Sequence, residues 1–105
     1  MPSYIFTYHG GTPPETPEEG AKHMAKWQAW IENLGDTMIN SGSPLGMSKT
    51  VSENGVVDNG GANPLAGFSI IKADSMDAVL EIAKGCPFLE METATIEVAE
   101  VMQMP

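Results

Sequence analysis

Two histidines, His9 and His23, are the side chains best suited to moving a proton near neutrality. An unperturbed imidazole titrates at about pH 6.5, so a pocket can set it as general acid or base. His23 lies inside "TPEEGAKHMAKWQAW", residues 16–30, among two tryptophans, two lysines and two glutamates. A histidine used for proton transfer needs a carboxylate or carbonyl on its second nitrogen to hold the tautomer. Asp58, in the middle of the chain, is the candidate, and Asp36, just past the helix, is the rival. The plainer reading of His23 is a helix-flank residue bordering an interface or solvent. His9 precedes Gly10 and Gly11, which would let a ligand approach the backbone closely. Its plainer reading is a polar residue at a strand rim. The spacing of the two histidines matches no metal-ligand pattern, and a third ligand is missing, so no metal is expected.

Aromatic and hydroxyl groups extend the list. Trp30 follows His23 by one heptad on the same helix flank and could stack a ligand, whereas Trp27 falls in the apolar stripe and reads as core. Ser43 is the loop hydroxyl counted with His9 and Trp30 as ligand-binding. Ser41 and Thr12 are its neighbours in kind, and no G-x-S-x-G elbow accompanies any of them. Cys86 follows a helix C-terminus, where the dipole disfavours a thiolate, and reads as a packed thiol. The glycines of "DNGGANP" match neither a dinucleotide fingerprint nor a P-loop, so no cofactor is expected. Eight methionines fit a soft core or interface.

The elements that must position these groups follow from periodicity. "SYIFTYH", residues 3–9, alternates Tyr4, Phe6 and Tyr8 against Ile5, Thr7 and His9, which predicts a central strand covered on both faces. "GGTPPETP" breaks it, and Thr16, Pro17 and Glu19 form a helix start. Gly20, Met24, Trp27, Ile31 and Leu34 make the inward stripe, and Gly35 ends it. A short strand is expected over 37–41, a turn at 42–44, a strand in "MSKTVS" and a tight hairpin at "ENG" with "VV" behind it. Residues 58–64 read as a loop. "AGFSIIKA" is a strand, and "DSMDAVLEIAKG" is a helix with Met76, Val79, Leu80 and Ala83 inward. "ATIEVAEVM" closes as a strand whose alternation slips after Val98, a sign of a bulge or a shared edge.

This order predicts one α+β domain over residues 1–105, a ferredoxin-like split βαβ arrangement with an antiparallel sheet and both helices on one face. The bare face, with Ile5, residues around Ile70 and the C-terminal valines, is expected to meet a second copy, forming a homodimer. A chain of 105 residues buries only a modest share of its surface, which also favours pairing. Five Lys plus Arg against fourteen Asp plus Glu leave a net charge of −9, so neither nucleic acid nor a membrane surface is an expected partner. A single cysteine, the absence of a signal-like opening and the lack of a long apolar run predict a cytoplasmic protein.

The order of blocks resembles the YCII-related family, including its DGPF branch, over nearly the whole chain. The resemblance lies in "YIFTYHG", "PEEGAKHMAKWQAWIENLG", "TIEV" and above all "GFSIIKADSMDAVLEIAKGCP". It implies a ferredoxin-like fold that dimerises into an α/β barrel, with a pocket lined by the first strand and helix. His23 matches the family's helix-one histidine, and in the YciI-like branch a His–Asp pair is the proposed active site. A relative acts as a lyase on chlorinated aromatics. The resemblance therefore implies His23 and Asp58 as a catalytic pair of a lyase- or isomerase-like enzyme, with a non-catalytic small-ligand-binding homodimer as the alternative. "DNGG" stands where D-G-P-F is the branch pattern, so only Asp58 and a glycine of that motif are kept.

Overall fold

The computed structural model describes residues 1–12, 14–58 and 64–102. Along the chain come β1 (Ser3–His9), α1 (Pro17–Leu34), β2 (Met38–Asn40), β3 (Thr50–Ser52), β4 (Gly55–Val57), β5 (Leu65–Lys72), α2 (Met76–Lys84) and β6 (Thr95–Glu100). Single 3-10 turns cover Gly35–Thr37 and Pro87–Glu90. Most of the "DNGGANP" loop, residues 59–63, lies outside the described residues.

Alternation in β1 decides the centre of the molecule. Tyr4, Phe6 and Tyr8 are buried on the face that carries the helices, joined there by Ser69 and Ile71 of β5. β1 is the inner strand between β5 and β6, both antiparallel to it, and β2 flanks β5. The order β2-β5-β1-β6 is compatible with a ferredoxin-like fold. The β3–β4 hairpin, joined by Glu53 and Asn54, forms its own two-stranded sheet between β2 and β5 in sequence. Val51, Val56 and Val57 are exposed on it.

The helices begin where the caps place them. Thr16 Oγ1 accepts the Glu19 N–H at 3.1 Å, Pro17 follows with no N–H to satisfy, and Ser75 caps α2 in the same way on Ala78 N. The inward stripe of α1 keeps Gly20, Trp27, Ile31 and Leu34 of the expected set, with His23 in place of its neighbour Met24. Gly20, His23, Trp27, Ile31 and Leu34 are half-buried with Trp30, while Met24 is 59% exposed. This face turns the two tryptophans and His23 toward the sheet. On α2, Val79 and Ala83 are buried as the pattern implies, whereas Met76 and Leu80 stay on an exposed flank.

Of the two readings of the last strand, a bulge or an edge, the structure keeps the edge, and the expected place of its valine is corrected. β6 pairs with β1 without a register break from Thr95 to Glu100, so it carries no bulge and is an edge strand. The breaks fall instead between Tyr8 and His9 and between Met38 and Asn40. Val98 lies opposite Phe6 and packs on the core under the helices, so it does not belong to the bare face. That face carries Ile5, Thr7, Phe68 and Ile70, all half-buried.

Candidate functional site

α1 roofs one end of the sheet, leaving beneath it a cavity of about 410 Å³. The helix contributes His23, Trp27, Gln28 and Ile31, and β1 contributes Tyr8. The turn around Pro87–Glu90 supplies Phe88, with Met91 just after it, and the opposite wall is the loop Ser41–Pro44 lying along β5. Apolar and aromatic walls with a few polar groups are what a small-molecule site requires.

The loop wall is held by a chain of polar contacts that begins in the core. The Tyr8 hydroxyl donates to Ser69 Oγ at 2.8 Å, and Ser69 Oγ donates to the Ser41 carbonyl at 3.0 Å. Asn40 Oδ1 accepts the Gly42 N–H at 2.8 Å, and Leu45 N–H bonds the Ala66 carbonyl at 2.9 Å. Gly42 sits at φ 71° with its α-carbon pressed on the Phe68 carbonyl, where any β-carbon would collide. The loop can lie this close to β5 only because that residue is glycine.

His23 reaches the cavity, which its neighbour Met24 also lines, from the half-buried face of α1. Its Nε2 accepts the Trp27 indole N–H at 2.8 Å, one helical turn along. Trp27 in turn meets Tyr8 edge-on with ring centroids 5.4 Å apart, and Trp30 at 5.5 Å. Among the described residues, no carboxylate forms an ion pair with His23.

Asp58 lies elsewhere. It lines a second, more open cavity with Gly10, Gly11 and Ser48, and its carboxylate meets Lys49 Nζ at 3.1 Å. The physical reason is chain geometry: the hairpin carries both ends of "KTVSENGVVD" away together, so Lys49 and Asp58 face each other across β3 and β4. Asp36 is exposed in the turn after α1 and does not line the His23 cavity. His9 is buried on the sheet face away from α1, where Nε2 lies 3.3 Å from Glu97 Oε1 and 3.1 Å from Thr7 Oγ1. The adjoining Gly10 has φ 71° and abuts the Thr93 backbone, so its lack of a side chain serves the packing of that loop. Trp30 packs on the core, with its indole nitrogen near Gly85, and is not part of the cavity wall. Ser43 does line the cavity, with His23.

The structure thus brings together His23 and Ser43 of the five candidates, and adds Trp27, Tyr8, Gln28 and Phe88. Trp27 was legible as the i+4 neighbour of His23, since such pairs share a helix face. Burial pushes the Tyr8 hydroxyl well above its ordinary range and raises the Cys86 thiol from 9.0 to about 11. Cys86 is therefore a neutral, packed thiol. No helix among the described residues is long and apolar enough to cross a membrane. No curated protein matches the chain. The model of one family, the YCII-related domain, matches residues 5–105, and the chain belongs to that family.

Proposed function

We propose that the cavity under α1 is the working site and that it binds a small, largely apolar ring-bearing molecule. The observation that carries this reading is the convergence of Trp27, Tyr8 and Phe88 with one imidazole on a cavity of about 410 Å³. Aromatic walls favour a flat ligand, and Ser43, Gln28 and His23 supply the few polar groups that would orient it. Binding is preferred over proton transfer because Asp58 is engaged by Lys49 at the other cavity. The lyase- or isomerase-like reading rests on His23 at the cavity wall. It differs from the first in requiring turnover of the bound compound.

The same reading includes a homodimer. The half-buried Ile5, Phe68 and Ile70 lie on the sheet face that carries no helix, and burying them against a second copy would remove that apolar area from water. The chain is also slab-shaped, 47 × 42 × 18 Å, with a radius of gyration of 15.0 Å against about 13 Å for a compact domain of this length. A ligand-observed NMR screen of small aromatic compounds tests the site. Hits that bind the native protein and are lost in His23→Ala support it. Hits that bind both equally would place the ligand elsewhere.

A further inference from the structure

We infer that Trp27 is a positioning residue that fixes His23 as the neutral tautomer protonated on Nδ1, so that the cavity offers its occupant a hydrogen-bond donor. This rests on the reading that the cavity is a ligand site, and it adds the chemistry of the ligand. The indole N–H can only donate. At 2.8 Å from His23 Nε2, it requires a lone pair there, and a neutral imidazole with Nε2 unprotonated must carry its proton on Nδ1. The hydrogen bond meets the imidazole nitrogen itself, with the two ring planes inclined at 76° and the ring centroids 6.2 Å apart. Trp27 is itself held by edge contacts with Tyr8 and Trp30, so its N–H cannot swing away without losing both.

The consequence separates this site from a carboxylate–histidine pair. A carboxylate accepts a hydrogen bond from the imidazole N–H and leaves the far nitrogen as a base, whereas a donor-only partner leaves the far nitrogen as an N–H. Nδ1 has no hydrogen-bond partner among the described residues. The occupant that fits is therefore a ring compound bearing a hydrogen-bond acceptor, such as an aromatic carbonyl. The excess of acidic side chains on the chain favours a neutral acceptor over an anionic one.

Nitrogen-15 NMR of the imidazole at about pH 8, where an ordinary histidine is neutral, reads the tautomer without any ligand. The expected result is a protonated Nδ1 and a bare Nε2 in the native protein, with protonation moving toward Nε2 in Trp27→Phe. As a second readout, the Trp27 indole proton should lose its hydrogen-bonded position in His23→Ala, a variant at a half-exposed site. A native His23 protonated on Nε2, or an indole proton unmoved in His23→Ala, overturns the inference, as does a Trp27→Phe protein that folds with the native tautomer. Acetophenone and α-methylstyrene, equal in shape but with a carbonyl replaced by a methylene, then test the donor. Acetophenone should bind the native protein roughly three- to tenfold more tightly, and the ratio should shrink in Trp27→Phe. Equal affinity for the two in the native protein overturns the donor assignment. Failure of both probes to bind counts against the cavity as an aromatic-ligand site, while the tautomer is decided by the NMR measurement alone.

Discussion

Removing the Ser69 hydroxyl is expected to cost far more than a serine-to-alanine change usually does. Ser69 is fully buried on the helix-facing side of β5 and stands between the Tyr8 hydroxyl and the Ser41 carbonyl. In Ser69→Ala the Tyr8 hydroxyl, on a side chain only 4% exposed, loses its oxygen acceptor and keeps only the weakly accepting Cys86 sulfur. An orphaned buried donor costs about 1–3 kcal/mol, so a loss of about 2 kcal/mol is expected. The Ser41 carbonyl adds little because Ser41 is exposed and can turn to water. Tyr8→Phe removes one hydrogen bond and leaves Ser69 still donating to Ser41, at a cost of about 1 kcal/mol. The double variant orphans no donor and should cost about 1.5 kcal/mol less than the sum of the two. Urea unfolding of the four proteins at one fixed concentration measures the cycle, the concentration being held because pairing would shift the midpoint. A Ser69→Ala protein within about 0.5 kcal/mol of the native one would refute the reasoning, since the Tyr8 hydroxyl would then have found water in the cavity.

The other predictions concern the loop, the thiol, the histidine and the dimer. Gly42→Ala forces a β-carbon onto the Phe68 carbonyl at positive φ, so a loss of more than about 1–2 kcal/mol is expected in urea unfolding. For Cys86 the folded-state pKa is raised, so between its ordinary 9.0 and about 11 the unfolded chain releases a proton that the folded chain keeps. Stability should fall by about 1.4 kcal/mol per pH unit from 9.0 to 10.0, above which the raised Tyr8 hydroxyl adds to the slope, and the part below 10.0 should flatten in Cys86→Ala, read by unfolding at stepped pH. His23→Ala should leave the circular dichroism spectrum and oligomeric state unchanged, because the side chain is only half-buried, while weakening binding of hydrogen-bond acceptors that occupy the cavity by roughly three- to tenfold in a titration. Light scattering at micromolar concentration should give twice the chain mass, and a stable monomer would remove the dimer from the proposal.

Elements were legible in the sequence where the signal is short-range. The Thr16–Pro17–Glu19 start, the alternation of β1 and the Glu53–Asn54 hairpin turn depend on neighbours within a few positions, and the fold keeps them all. The class of fold follows from their order, because a right-handed, short-looped chain has few ways to arrange strand, helix, strands, helix and strand. His23 and Ser43 were likewise legible as candidates on a helix and in a turn. Partnership was not. Whether His23 meets Asp58 or Trp27 depends on where the hairpin carries Asp58, and the pairing of Lys49 with Asp58 arises only once β3 and β4 register Thr50 against Val57. Only packing against the sheet decides that His23 and not its neighbour Met24 is the half-buried residue of that turn, a choice that runs against hydropathy. Ser69 shows the same division: alternation puts it on one face with Gly67 and Ile71, but its need for a hydroxyl appears only when β1 brings Tyr8 alongside and the loop brings Ser41. Local sequence sets which backbone each segment adopts; contacts between segments far apart in the chain are set by sheet pairing and loop approach, and those made this site.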